Sequence, residues 1–268
     1  MRIETIFTES APRIAADCLG AGEVVLFLHG IGGNRTNWRD QLPAFARHYQ
    51  AVAWDARGYG LSEGYDGALE FADFSTDLER LLDHLQAERA HLVGLSMGGR
   101  IAVHYYFRWP DRVASLTLAD THTGFAALSP AQRKEYVDSR LTPLRAGKTV
   151  ADIAPVVAGK LLGPDATPEV RARLEASIAS LRQDCYMKSV AATVEQDSVG
   201  DYGAIDVPTH VMVGEHDPLT TPAICRELAD QVAGAAYTII PRAGHLSNME
   251  NPAAFNEKAL EFIDSLPA

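Results

Sequence analysis

Cysteine is scarce in this chain. Cys18, Cys185 and Cys225 are the only three, far apart and without a CxxC pair or a histidine-rich companion. That excludes a disulfide framework and a structural zinc site, and it fits a reducing compartment. Long apolar runs are missing too: no window reaches the roughly 18 apolar residues of a membrane-spanning helix. The opening stretch MRIETIFTES carries charges where a secretory leader holds its apolar segment, so the protein is expected in the cytoplasm, without a membrane partner. Blocks of like charge are absent although the net charge is -11. Dispersed acidic charge favours solubility and argues against nucleic acid or an anionic membrane as a partner. There is no repeat, no low-complexity tract, and no GxxxxGK[ST] loop, HExxH helix or GxGxxG turn after a first strand. Nucleotide and metal mechanisms therefore lack a motif, and no cofactor or metal is expected.

What is present is periodicity. With 268 residues, 47% of them hydrophobic, the chain can bury one substantial core. RIETIFTES and RIAADCLG read as a short strand pair around a proline turn. VVLFLHG (24–30), AVAWDARG (51–58), HLVGLS (91–96), VASLTLAD (113–120), THVMVGEHD (209–217) and AYTIIPRAGH (236–245) are short apolar runs without alternation. Strands apolar on both faces belong to a parallel sheet covered by helices. Helical patterning falls between them, over 37–47, 71–86, 97–107, 222–232 and 252–266. The fold class is α/β: a mostly parallel, eight-stranded sheet flanked by helices through right-handed crossovers. The alternation stops over 123–200, which reads as several helices with no strand. Ser129 before Pro130 and Thr167 before Pro168 are good helix starts. We expect 1–122 and 201–268 to form the core and 123–200 an inserted helical cap.

The stretch HLVGLSMGGRIAVHYY (91–106) raises the chemical question. It runs from an apolar strand into an amphipathic helix through Gly94-Leu95-Ser96-Met97-Gly98. A serine between glycines at such a junction matches a nucleophile elbow, in which the turn is too tight for neighbouring side chains. GxSxG alone is a weak signal, and the strand and helix context carries it. A serine hydroxyl attacks only when a base takes its proton, so a histidine and a residue to orient it must follow. Asp217 ends the run THVMVGEHD and His245 follows AYTIIP. Both fall at carboxyl ends of strands, the rim where open α/β sheets place their sites. Asp217 could simply form a turn before Pro218, and Asp120, which also ends a strand, competes with it for the role of the acid. The glycine-rich loop LFLHGIGGN supplies backbone N–H groups for an oxyanion, with Ile31 and Met97 as the two donors. DARGYGLS (55–62) reads as a brace near the site.

HGIGG, DARGYGLS, GLSMGG, GEHDPLTTP and GHLSNMENPAAF, in this order, resemble the α/β-hydrolase superfamily over essentially the whole chain. GLSMGG together with GHLSNMENPAAF is most similar to 3-oxoadipate enol-lactonases and related carboxylic ester hydrolases, while HGIGGN is also the form seen in esterases and carbon–carbon bond hydrolases. The resemblance implies the α/β-hydrolase fold with a helical cap, and a cofactor-free enzyme that opens a small-molecule lactone or cleaves an ester. Ser96, Asp217 and His245 would be its catalytic triad. An enol-lactone carries a carboxylate, for which the cap offers Arg133, Arg140, Arg145 and Arg182. By position, Trp38, His122, Phe125, Tyr136 and Tyr186 would line the pocket. Two other functions stay open: a carbon–carbon bond (meta-cleavage product) hydrolase on the same triad, and a non-catalytic ligand-binding relative.

Overall fold

The computed structural model describes residues 2–126, 128–195 and 200–267. Eight strands form one sheet: β1 (Glu4–Phe7), β2 (Ala15–Gly20), β3 (Val24–Leu28), β4 (Gln50–Trp54), β5 (Ala90–Leu95), β6 (Val113–Ala119), β7 (Thr209–Gly214) and β8 (Ala236–Ile240). Their order across the sheet is β1-β2-β4-β3-β5-β6-β7-β8. β2 runs antiparallel to both β1 and β4, and every other neighbouring pair is parallel. β3, β5 and β7 are buried at every residue, because helices cover both faces of the parallel part. β1, at the edge, is mostly exposed.

The helices in chain order are α1 (Leu42–Phe45), α2 (Phe71–His84), α3 (Met97–Arg108), α4 (Pro130–Arg145), α5 (Val150–Leu161), α6 (Pro168–Ala179), α7 (Gln183–Glu195), α8 (Pro222–Gln231), α9 (Ser247–Glu250) and α10 (Pro252–Asp264). In α2, Phe71, Phe74, Leu78, Leu81 and Leu82 are buried, the 3.6-residue stripe of an amphipathic helix. That stripe packs on α3, and α3 packs on β3, β5 and β6.

One expected helix is broken. Residues 37–47 divide into a 3-10 turn over Arg35–Trp38 and the short α1. Asn34 accepts the Thr36 N–H, and the Asn37 side chain accepts the Asn34 N–H at 2.6 Å, which closes the turn on itself. Pro43 then allows a helix to begin but not to run through from Trp38, since it lacks an N–H and its ring would meet the carbonyl four residues back.

Between β6 and β7 lie α4 to α7, with no strand among the described residues. Ser129 with Gln132, and Thr149 with Asp152, form capping boxes at the starts of α4 and α5, and Thr167 caps α6. α5 packs on α6 and α4 on α7. Residues 196–199, at the end of the stretch read as the insertion, lie outside the described residues. Among the described residues no helix is long and apolar enough to cross a membrane.

Candidate active site

Ser96 stands between β5 and α3 with φ 55° and ψ −116°, a left-handed backbone that costs a non-glycine residue of order 1 kcal/mol or more. The glycines around it make this conformation possible. A Cβ on Gly94 would lie 2.4 Å from the Gly98 carbonyl oxygen, and one on Gly98 would lie 2.1 Å from that of Leu28. The turn is held from two sides: the Ser96 N–H donates to the Ala119 carbonyl at 2.9 Å, and the Thr121 hydroxyl donates to the Ser96 carbonyl at 2.7 Å.

The loops after β7 and β8 bring the other two residues to this serine. Ser96 Oγ lies 3.0 Å from His245 Nε2, and His245 Nδ1 lies 2.9 Å from Asp217 Oδ2. With Nδ1 protonated and donating to the carboxylate, Nε2 is free to accept the serine proton. Asp217 is also the turn-forming residue that its place before Pro218 suggests. Its Oδ1 accepts the N–H groups of Leu219 and Thr220 at 2.8 and 3.0 Å, while Thr220 Oγ1 donates to Oδ2 at 2.6 Å. Burial works against its charge, but the charge and hydrogen bond of His245, with the donors of Thr220 and Leu219, hold it below the ordinary carboxylate range. Burial also works against protonation of His245. The charge and hydrogen bond of Asp217 outweigh it, with the charges of Asp120 and Glu250 adding, and its pKa is raised above 6.5.

Asp120 sits on the same rim but is occupied elsewhere. Its carboxylate accepts the Gly214 N–H at 2.8 Å and the Ser247 N–H and hydroxyl at 3.3 and 2.5 Å. Burial, then the charge of Asp217, pushes its pKa up to about 8. It joins the ends of β6 and β7 to the start of α9, and the hydrogen bond to the imidazole goes to Asp217.

Ile31 and Met97 both lie close to the serine, Met97 directly after it along the chain and Ile31 after Gly30. Met97 opens α3, so its N–H is one of the first-turn donors that have no carbonyl within the helix. Ile31 follows Gly30, whose backbone comes so close that a Cβ there would lie 3.1 Å from Ser96 Cβ. His29 braces this loop: its Nε2 accepts the Ala56 N–H at 3.0 Å, and Nδ1 donates to the Gly30 carbonyl at 2.9 Å. Burial lowers its pKa, consistent with a neutral ring. The DARGYGLS stretch thus reaches the site through backbone.

A cavity of about 280 Å³ opens on Ser96 and His245. Trp38 and Ile31 line it from the loop and turn after β3, and Tyr136, Arg140, Ile153 and Tyr186 from α4, α5 and α7. His122 and Phe125 are corrections to the positional reading, for neither is on the cavity wall. Their rings pack against each other at 4.9 Å, and Phe125 packs at 4.8 Å behind Tyr136, which takes the wall position instead. Of the cap arginines considered, Arg140 alone is on the wall, with its guanidinium 3.4 Å from the Tyr136 ring centre. Arg182 donates to the Ser62 carbonyl, and Arg145 pairs with Asp138. Lys148, Lys160 and Asp152 are the remaining charged residues of the wall. Among the described residues no group of three or more His, Cys, Asp or Glu could hold a metal ion.

Thr121, Thr220 and Ser247 do not stand out in the sequence, where each is an ordinary polar residue, and nothing there shows that Asp120, read as a competing acid, bonds Gly214 and Ser247. Thr220 and Ser247 at least lie close along the chain to Asp217 and His245, whereas Thr121 is 25 positions from Ser96 and gives no sequence signal of their contact.

A mostly parallel sheet with a serine on a strained strand-to-helix turn, and a histidine and a carboxylate on the same rim, defines a hydrolase architecture. Residues 23–252 match the alpha/beta hydrolase fold family, and the chain belongs to it as a hydrolytic enzyme. It is 29% identical over 237 residues to 3-oxoadipate enol-lactonase 2 of Acinetobacter baylyi, covering 87% of this chain and 85% of that one. It is 29% identical to the 2-hydroxy-6-oxononadienedioate/2-hydroxy-6-oxononatrienedioate hydrolase of Cupriavidus pinatubonensis, covering 94% and 90%. Among solved structures, a thermophilic esterase from Thermogutta terrifontis superposes with a TM-score of 0.86 at 27% identity, covering 98% of each chain.

Proposed function

We propose that the protein hydrolyses a small carboxylic ester or lactone through an acyl-enzyme on Ser96, with 1–122 and 201–268 as the catalytic core and 123–200 as its cap. The observation that carries this reading is the unbroken line from Ser96 Oγ to His245 Nε2 (3.0 Å) and from Nδ1 to Asp217 (2.9 Å), opening on the cavity. Ser96 Oγ bonds the carbonyl carbon while its proton passes to His245 Nε2, and the C=O electron pair moves onto oxygen. The Ile31 and Met97 N–H groups stabilise that oxyanion. Its collapse expels the alkoxide or enolate oxygen, which takes the proton from Nε2; in a lactone this oxygen stays tethered to the acyl group. Water then gives a proton to His245 as it attacks the acyl carbon, releasing the acid and restoring Ser96. Asp217 holds the imidazole and stabilises its charge throughout.

The cavity favours a small substrate. Arg140, Lys148 and Lys160 against Asp152 leave its wall net positive within a chain of net charge -11, which favours a substrate bearing a carboxylate. Labelling with a fluorophosphonate, read by mass spectrometry, tests the nucleophile. A single adduct on Ser96, absent in Ser96→Ala, is expected, and no adduct on folded protein would replace the enzyme reading with a ligand-binding one. A panel of esters, lactones and vinylogous diketones then separates ester or lactone cleavage from carbon–carbon cleavage, with faster turnover expected for the first two.

A further inference from the structure

The stretch GHLSNMEN does more than deliver His245. Glu250, the last residue of α9, is half-buried and turned back on the loop. Its Oε2 accepts the Gly163 N–H at 2.8 Å and its Oε1 the Leu246 N–H at 3.2 Å. A second bond crosses the same gap, from the His245 N–H to the Leu161 carbonyl at 2.9 Å. Leu161 is the last residue of α5, and Gly163 lies two positions on. The two backbones are in contact: a Cβ on Gly244 would lie 2.3 Å from the Gly163 nitrogen, and one on Gly163 would lie 2.8 Å from the Gly244 nitrogen. Only glycine at both positions permits this approach. α5 in turn forms part of the cavity wall through Ile153, Val156, Val157, Lys160 and Leu161. One carboxylate therefore joins the helix that a substrate would touch to the loop that carries the base.

We infer that Glu250 is a positioning residue that fastens the end of α5 to the His245 loop, so that the inserted helices and the proposed catalytic base keep one relative position. The inference rests on the reading of His245 as the base. Glutamine at 250 would remove the charge and turn one acceptor into an amide donor facing an N–H, which opens one side of the strap. α5 and the His245 loop then loosen together, and the Ser96–His245 alignment is occupied less of the time. Small displacements of a catalytic group are costly in rate. The groups acting on the His245 ring are Asp217, Asp120, Glu250 and, on the other side, His122. Removing the negative charge of Glu250 lowers the pKa of the ring.

The test compares wild type, Glu250→Gln and Gly163→Ala by the pH dependence of fluorophosphonate labelling at Ser96 and by hydrogen exchange over 158–163 and 244–250. Glu250→Gln is expected to label about tenfold more slowly, with its acid limb at lower pH and both segments exchanging faster together. Gly163→Ala leaves the carboxylate intact but wedges a methyl 2.8 Å from the Gly244 nitrogen; it should reproduce the slowing and the paired exchange without the pH shift. Wild-type labelling of a folded Glu250→Gln protein would overturn the inference, as would faster exchange confined to 244–250. If wild type itself is not labelled, the catalytic reading fails instead, and the exchange data alone decide whether the two segments open together.

Discussion

Replacing Asp217 by asparagine probes the proposed site at the point where the sequence left two residues in competition. Asp217 Oδ2 takes hydrogen bonds from His245 Nδ1 and Thr220 Oγ1, and Oδ1 takes two backbone N–H groups. The two N–H groups keep the amide oxygen of asparagine on the Oδ1 side, so its NH₂ must face His245. A donor there forces the imidazole into the tautomer with the proton on Nε2, the nitrogen 3.0 Å from Ser96 Oγ, and the serine loses its proton acceptor. In serine proteases the same exchange costs about 10⁴ in kcat, close to 5.5 kcal/mol of transition-state stabilisation at about 1.4 kcal/mol per decade. We expect a loss of that order for Asp217→Asn. Loss of Ser96 or His245 should cost more, about 10⁶, because the serine and its base act as a unit. Residual activity should show an acid limb at lower pH, since the Asp217 charge and hydrogen bond are the main influences raising the His245 pKa. The assay is the pH profile of kcat/KM on an ester substrate, with circular dichroism to establish folding and Asp120→Asn run beside it. Activity within tenfold of wild type in folded Asp217→Asn, or a larger loss in Asp120→Asn, would refute the reasoning and move the acid to Asp120.

Further outcomes follow from the same geometry. The proposed base must be neutral to accept the serine proton, and the His245 pKa is raised, so kcat/KM should fall as pH drops through a value above 6.5; a limb below 6.5 would contradict this. Gly98→Ala places a carbon 2.1 Å from the Leu28 carbonyl oxygen, where backbone must move. It should cost about 3 kcal/mol or prevent folding, as urea denaturation would show. Arg140→Gln should raise KM roughly tenfold for esters bearing a distal carboxylate and leave neutral esters of the same size nearly unchanged. Equal effects on both substrates would remove Arg140 from recognition.

Much of the architecture is local and therefore legible in a single chain. Unbroken apolar runs such as VVLFL mark strands covered on both faces, because a parallel strand has no solvent side. Gly94 and Gly98 bracket Ser96 because the turn excludes side chains on both sides. A capping residue before a proline, Ser129 before Pro130 and Thr167 before Pro168, marks the starts of α4 and α6. The place where 37–47 breaks was less legible, since the Asn34–Asn37 turn and Pro43 compete with a helical pattern that is otherwise intact.

The sequence by itself determined the α/β alternation, the position and caging of the serine, and the candidates for its partners. These depend on periodicity, on steric room at single residues and on order along the chain. Only the tertiary structure shows that the His245 ring bonds Asp217 while Asp120 bonds Ser247, because both residues follow strands on one rim and differ in which loop each carboxylate reaches across space. It also decided that Tyr136 and Arg140 stand on the cavity wall with Phe125 behind them, and that Glu250 meets Gly163, 87 positions away. Contacts between helices over a cavity leave no period in the sequence, since each depends on where a whole element packs.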